Sequence, residues 1–191
     1  MIPYLKKYTK HYLKNIGVFL LTFPFLFICC ESKNNSLKKD KVVINFNDDL
    51  TIPNFIISTI KDSADFNSKT IEKEGLILLK YFSPDCDNCQ EEAEIYHSKK
   101  DSLKNIRTIW ISGEWAQMNS IEEFAKKYRL KELNTIIIGK ETSRFLINYY
   151  DFSGIPFAAL YENNQLIKQY TGSINFEELI DINYGNSKGK P

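Results

Sequence analysis

The sequence predicts an α/β domain with a central mixed β-sheet flanked by helices on both faces. An almost continuous apolar run, Leu76–Phe82, has the length and composition of a strand that is covered on both sides. Helical and strand segments then alternate over residues 86–150, and a hairpin signal follows at residues 157–171. Helical crossovers make parallel strand pairs and hairpins make antiparallel ones, so this order favours a mixed sheet.

Composition and charge limit the possible functions. The chain has 191 residues, which suits one domain with processing segments. It carries 25 Lys and Arg residues against 24 Asp and Glu residues, a balance that indicates no nucleic-acid partner and no strongly acidic substrate. Aromatic residues make up 14% of the chain, so a domain of this size can bury a substantial core.

Residues 1–30 have the pattern of an export signal. A basic segment with lysines at positions 6, 7, 10 and 14 precedes an apolar stretch at residues 16–28. This order is typical of a bacterial secretory signal, and the stretch is shorter than the ~20 apolar residues of a membrane-spanning helix. An uncleaved N-terminal anchor is the alternative, because the stretch is close to the limit between the two classes.

Cys29 and Cys30 follow the apolar stretch directly, an order that resembles a bacterial lipoprotein signal. We favour Cys30 as the lipidated residue, since Cys29 then supplies the small residue before the cleavage site, although Phe27 is bulky at −3. Lipidation of Cys29 would place Leu26 suitably but would put the bulky Ile28 at the cleavage site. Acyl chains contribute about 0.8 kcal/mol per buried CH₂, so two or three would hold the protein on a membrane. An ordinary cleaved signal with incidental cysteines is the alternative.

The rest of the chain divides by composition. Residues 31–41 predict a flexible tether and residues 183–191 a disordered tail, because both are rich in Asn, Ser and Lys. The folded domain is predicted over residues 42–182. It begins with strand candidates at residues 42–46 and 55–60, which form an N-terminal β extension, before turn residues at 62–67.

Helices and strands alternate after Phe82. A helix is predicted from Cys86 or Asp87 to about Ser102, because acidic residues at positions 91, 92 and 94 favour the positive end of a helix dipole. Ser120 and Glu123 form a capping box, which predicts the start of a helix through residue 128. The other predicted elements are strands at 106–112, 135–138, 157–161 and 166–171, and helices at 142–150 and 174–182.

The chemistry centres on the sequence Cys86-Asp87-Asn88-Cys89, which lies between a buried strand and a helix. A Cys at a helix N-terminus lies near unpaired N–H groups, which stabilise the thiolate that attacks disulfides. The second Cys follows about one turn later, so the pair can alternate between dithiol and disulfide. We predict Cys86 as the exposed nucleophile and Cys89 as the shielded resolving thiol.

Gly154-Ile155-Pro156 precedes the first hairpin strand and strengthens this interpretation. An X–Pro bond adopts the cis form at modest cost. A cis-Pro156 that faces the cysteines would expose the backbone of Ile155 for pairing with an incoming polypeptide. Ile155 is therefore the predicted substrate-binding residue.

From about Pro53 to Ile182 the chain resembles the thioredoxin-like proteins of the TlpA/ResA type. The segments that carry the resemblance are residues 53–55, 76–89, 110–114, 154–156 and 170–172. It implies a thioredoxin-like fold, with Cys86, Cys89 and Pro156 as the active-site residues and the cysteine pair as the redox group, without cofactor or metal. It also implies a membrane-tethered, extracytoplasmic oxidoreductase (periplasm-facing in a Gram-negative cell). Such a protein reduces protein disulfides, for instance in apocytochromes before haem attachment, with electrons from a membrane thiol carrier.

The sequence departs from this family at several positions. Asp85 stands where Trp usually precedes the first Cys, and Asp87 and Asn88 stand where Pro is common. Lys80 occupies the strand position where thioredoxins carry a buried acid that assists proton transfer, which leaves the proton shuttle open. Glu114 is a candidate substitute, although a solvated loop residue is the simpler interpretation.

The acids beside Cys86 predict a reducing protein. Asp85 and Asp87 disfavour a thiolate between them, each by about 1 kcal/mol or less because water and salt screen the charge. A less stable reduced form has a lower reduction potential, by about 30 mV per 1.4 kcal/mol. We therefore expect a potential nearer that of thioredoxin than that of DsbA.

Other interpretations of the cysteine pair fit less well. A structural disulfide across four residues closes too small a loop to stabilise much. A closed zinc site needs about four ligands, and the domain offers only two cysteines and His97, which we interpret as a surface residue. A peroxiredoxin-type peroxidase needs Thr or Ser and Pro at fixed positions before its Cys, which Ser83-Pro84 does not supply. A thioredoxin-like binding or scaffold module without redox turnover is the main alternative.

Overall fold

The structure is a computed structural model that describes residues 50–61 and 64–188. The burial of side chains is described up to residue 185. The predicted signal, Cys29 and Cys30, the tether and the strand at residues 42–46 lie outside the described residues. The strands are β1 (Ile56–Thr59), β2 (Asp65–Asn67), β3 (Leu76–Phe82), β4 (Ile106–Ser112), β5 (Ile136–Lys140), β6 (Phe157–Glu162) and β7 (Gln165–Thr171). The helices are α1 (Asp87–Ser98), α2 (Lys100–Leu103), α3 (Met118–Lys127), α4 (Phe145–Tyr150) and α5 (Phe176–Lys188), with 3-10 turns at Ser68–Thr70 and Leu130–Glu132.

The strands form one mixed sheet in the order β2-β1-β5-β4-β3-β6-β7. β3, β4 and β5 are parallel neighbours, as expected for strands joined by helices. β6 runs antiparallel to β3, and the hairpin partner β7 runs antiparallel to β6. The predicted mixed sheet with flanking helices is confirmed.

Strand β3 lies at the centre of the domain, and all seven of its residues are buried. Because side chains alternate along a strand, Leu76, Leu78 and Phe82 join a core on the face that α1, α3 and α5 cover. Ile77, Leu79 and Tyr81 point to the opposite face and join a second core, which includes Leu146 of α4 and Phe157 of β6. Lys80 is also fully buried, on the first face, and it is the polar exception in this apolar strand.

Several predicted boundaries differ from the structure. Helix α3 begins at Met118 with Gln117 as its N-cap, so the predicted capping box at Ser120 is wrong. Ile121, Phe124 and Ala125 of this helix are all buried and belong to the first core. Residues 65–67 form β2 rather than a turn, because Phe66 pairs with Ile57 across the sheet edge.

The closing helix α5 also extends beyond its predicted end at residue 182. The prediction of a disordered tail is therefore wrong for residues 183–188. Asn183 is buried, and its side-chain amide donates a hydrogen bond of 2.8 Å to the carbonyl oxygen of Ser102 at the end of α2. A contact between elements that are distant in sequence extends the helix, and composition alone does not reveal such a contact. Among the described residues, no helix has the length and apolarity that crossing a membrane requires.

Candidate active site

The end of β3 and the start of α1 bring Cys86 and Cys89 together. Cys86 is the N-cap of α1, and its Sγ accepts a hydrogen bond of 3.3 Å from the backbone N–H of Cys89. The thiol of Cys89 points at Cys86, with the two Sγ atoms 2.6 Å apart. Cys86 is partly exposed, whereas Cys89 is completely buried. An incoming disulfide can reach only the first of the two sulfurs.

The environment of Cys89 favours its protonated form. Burial raises the pKa of Cys89 to about 12, and the hydrogen bond to Cys86 contributes in the same direction. A backbone hydrogen bond involving Ser83 and the charge of Lys80 lower this pKa. The buried sulfur is therefore a thiol at neutral pH, and it must lose its proton before it can attack another sulfur.

The predicted proline loop lies next to the cysteines. The Ile155–Pro156 peptide bond is cis, as the sequence predicted. The Sγ of Cys86 is 3.9 Å from the carbonyl oxygen of Ile155, so this backbone borders the exposed sulfur. Pro156 is buried at the start of β6, and Ile155 is half-buried against the second core. The structure thus brings together all four residues that the sequence selected within the domain.

A buried ion pair lies below the cysteines and was not foreseen. The Nζ of Lys80, on β3, contacts Oε2 of Glu92, on α1, and both side chains are almost fully buried. Burial lowers the pKa of Lys80, while the charge and hydrogen bond of Glu92 oppose that shift. The other carboxylate oxygen of Glu92 accepts a hydrogen bond of 2.6 Å from the backbone N–H of Ile174. Lys80 also lies over the ring of Trp110, 5.6 Å from its centroid.

Helical spacing could have identified Glu92 from the sequence. Glu92 follows Cys89 by three residues, so both lie on one face of α1. Without the fold, Glu92 is one of several acids that favour the start of the helix. The sequence also shows Lys80 within an apolar strand, but it does not show which acid pairs with it.

Other residues singled out in the sequence lie elsewhere. The carboxylate of Glu114 is 3.9 Å from Arg144 and is partly exposed, in keeping with a loop residue rather than a substitute proton shuttle. Asp85 and Asp87 are exposed on both sides of Cys86. His97 is only partly exposed, and its Nε2 is buried with no hydrogen-bond partner among the described residues, so its interpretation as an ordinary surface residue is wrong.

No family model matches the sequence, and no curated protein matches it. Solved structures do match the arrangement of strands and helices described above. The fold is thioredoxin-like.

Three of the similar structures illustrate the range of that fold. A secreted Mycobacterium tuberculosis disulfide oxidoreductase, described as homologous to E. coli DsbE, is 16% identical with a TM-score of 0.57, over 69% of this chain and 95% of the other. StoA from Bacillus subtilis is 18% identical with a TM-score of 0.52, over 69% of this chain and 97% of the other. A yeast mitochondrial 1-Cys peroxiredoxin is 15% identical with a TM-score of 0.56, over 72% of this chain and 75% of the other. Since one fold carries more than one activity, the choice among activities depends on the site.

The described residues bring together the groups that thiol chemistry uses. Within residues 50–61 and 64–188, no group of three or more His, Cys, Asp or Glu side chains is placed to hold a metal ion. Thiol–disulfide exchange requires a sulfur that a substrate can reach and a second sulfur in contact with it. Cys86 and Cys89 supply these two sulfurs, and the backbone of Ile155 borders Cys86.

Proposed function

We propose that this protein is a thiol–disulfide oxidoreductase that reduces protein disulfides through Cys86 and Cys89. The contact between an exposed and a buried cysteine at the start of α1 carries the proposal. The similar disulfide oxidoreductase structures support it, because they share the fold in which this pair is presented.

The exchange proceeds in two displacement steps. The Cys86 thiolate attacks a substrate disulfide, forms a mixed disulfide and releases one substrate thiolate, which takes a proton from water. Cys89 then loses its proton and attacks the Sγ of Cys86. The Cys86–Cys89 bond forms, the bond to the substrate breaks, and the electron pair leaves with the second substrate sulfur, which is protonated. The substrate gains two electrons and two protons, and the cysteine pair is oxidised.

The loop before β6 provides the docking site for the substrate in this proposal. The backbone of Ile155 lies beside Cys86 and can pair with an extended peptide, as an unpaired sheet edge does. Asp85 and Asp87 are exposed beside the reacting sulfur, and their charge favours the oxidised pair. We therefore place the protein among reductases, which need a dithiol donor, and propose a membrane thiol carrier for that role.

We further propose that the protein works outside the cytoplasm on a lipid anchor. The basic and apolar segments before Cys29 and Cys30 support export and lipidation, with Cys30 as the preferred site. One of the similar structures is described as secreted, which fits the same location. Metabolic labelling with a radioactive fatty acid tests the anchor: label should be lost in the Cys30→Ser variant and kept in Cys29→Ser.

Trapping of the mixed disulfide tests the reaction. The Cys89→Ser variant should accumulate a covalent adduct with a disulfide-bearing peptide, because nothing resolves it, while Cys86→Ser should form none. The wild-type protein should release reduced peptide without accumulating the adduct. If wild type and Cys86→Ser both leave the peptide oxidised, the alternative function, a thioredoxin-like binding module, replaces this one.

A further inference from the structure

The position of Lys80 has a consequence for the second displacement step. Lys80 lies on β3 with its ammonium group in contact with Glu92, and neither side chain reaches water. Cys89, three residues before Glu92, is on the same face of α1 and is also completely buried. A cation, a carboxylate and a thiol that must ionise therefore share one enclosed region between β3 and α1.

We propose that Lys80, held by Glu92, is a positioning residue that promotes resolution of the mixed disulfide by favouring the thiolate of Cys89. This inference rests on the proposed exchange function. Cys89 must form a buried anion to attack Cys86, and a buried anion is costly unless a positive charge is near. Lys80 supplies that charge from the strand, and Glu92 keeps its side chain in place.

The interactions of these groups are reciprocal. The ammonium group of Lys80 lowers the pKa of Cys89, and negative charge on Cys89 or Cys86 raises the pKa of Lys80. The pKa of Lys80 is therefore highest when Cys89 is a thiolate. That proton passes to solvent, and the released substrate thiolate takes up an equivalent one, so the step needs no further reactant.

The other side chains around Lys80 do not supply a positive charge in its place. β4 contributes the ring of Trp110, and β6 contributes Ala158, the cross-strand neighbour of Lys80; neither side chain titrates. β7 contributes Tyr170, which pairs with Ala158 in the next strand, and burial raises the pKa of its hydroxyl to about 12. The charges that face Lys80 are thus Glu92 and the two cysteine sulfurs.

Single-turnover resolution provides the test. The full-length protein is loaded as a mixed disulfide between Cys86 and a small aromatic thiol, and release of that thiol is followed from pH 6 to pH 10. We compare wild type with Lys80→Met and with Lys80→Met/Glu92→Gln. The double variant removes both charges, so neither is left unpaired, and it keeps an acceptor for the N–H of Ile174.

We expect resolution to slow about tenfold at pH 7 in the folded variants, the change that one pKa unit of Cys89 produces. The deficit should shrink toward pH 10, because wild-type Lys80 loses its own charge there. The matched control is Tyr96→Phe. Tyr96 is also on α1, and this change removes its buried hydrogen bond of 2.6 Å to Thr108 of β4. The rate of resolution should stay that of wild type. Equal rates in wild type and variants, or a deficit that stays constant with pH, would overturn the proposal.

The titration of Lys80 in the wild-type protein tests the proposal even if neither variant folds. The Lys80 side-chain carbon next to the amine is followed by NMR as a function of pH, in the dithiol and in the disulfide protein. The midpoint should be higher in the dithiol protein, where a thiolate can form, and identical midpoints would overturn the proposal. Failure of wild type to release any thiol would refute the exchange function itself, whereas normal release with an unaltered pH profile in the variants refutes only the role of Lys80.

Discussion

Two buried carboxyl groups lie on opposite faces of the central sheet, and their partners differ. Glu92 meets the ammonium group of Lys80 on the face below the cysteines. Glu141 lies on the other face, where it accepts a hydrogen bond of 2.6 Å from the hydroxyl of Tyr81 and one of 3.2 Å from the backbone N–H of Leu146. Lys80 and Tyr81 are adjacent in β3, so one strand supplies both partners.

The difference separates an electrostatic role from a structural one. Burial raises the pKa of Glu141, and its carboxyl oxygen accepts a hydrogen bond from the backbone N–H of Leu146 near the start of α4. Glu92 instead accompanies a cation next to a thiol that must ionise.

Removing one member of the ion pair should have the largest effect on stability. Glu92→Leu leaves the ammonium group of Lys80 buried and unpaired, which we expect to lower the free energy of unfolding by about 3–5 kcal/mol. The double variant Lys80→Met/Glu92→Leu should recover most of that loss, because an apolar pair needs no compensation. Denaturant unfolding measures both values. A loss in the double variant as large as in Glu92→Leu would contradict this account.

Removing the hydrogen bond on the other face should have a smaller effect. Tyr81→Phe leaves the Glu141 carboxyl with one donor fewer, and we expect a loss of about 1–2 kcal/mol in the free energy of unfolding. The rate of disulfide exchange should not change, since this face does not contact the cysteines. A slower exchange in Tyr81→Phe would show that the two faces do not have separate roles.

The two pairs should also respond to pH in opposite directions. The pKa of Glu141 is raised in the folded state, so its contribution to stability is present at acid pH and is lost as pH rises above 4.5 through the folded-state pKa. The pKa of Lys80 is lowered by burial, so its contribution increases as pH rises from that lowered pKa toward 10.5.

Unfolding curves at a series of pH values measure these contributions. Glu141→Gln should remove the loss of stability above pH 4.5. Lys80→Met/Glu92→Gln should remove the increase toward pH 10.5. A variant whose pH profile parallels that of wild type would show that its group does not titrate as described.

The exposed charges of Asp85 and Asp87 should have the smallest effect, and it should appear in the reduction potential. Asp85→Asn and Asp87→Asn each remove about 1 kcal/mol or less of repulsion, because both side chains are exposed. Each should raise the reduction potential by up to about 20 mV, since about 30 mV corresponds to 1.4 kcal/mol. Redox equilibration with glutathione detects such a shift, and added salt should reduce it. A fall in the reduction potential would show that the two acids favour the reduced pair rather than the oxidised one.

The sequence was informative where local pattern determines structure. The bounds of β3 and β4 agree with the prediction to the residue, because continuous apolar runs between turn residues leave little choice. Cys86, Cys89 and Pro156 were selected from spacing and from resemblance, and the structure brings them together. Their roles in exchange stay predictions.

The sequence was uninformative where tertiary contact determines structure. The pairing of Lys80 with Glu92 joins a strand to a helix. Helical spacing places Glu92 on the face of Cys89, but no local pattern pairs it with Lys80. The extension of α5 depends on the buried contact of Asn183 with α2, and the composition of that segment suggested the opposite. Helix α3 begins at Met118, although the capping box at Ser120 suggested a later start.

The most direct test of the proposed function is the reduction potential of the Cys86–Cys89 pair in the full-length protein, measured by equilibration in thiol redox buffers with Cys86→Ser as control. The account predicts a reversible two-electron couple near or below about −250 mV, close to thioredoxin, and no couple in the control. A potential near about −120 mV would make the protein an oxidant, and a pair that does not cycle would contradict an oxidoreductase function altogether.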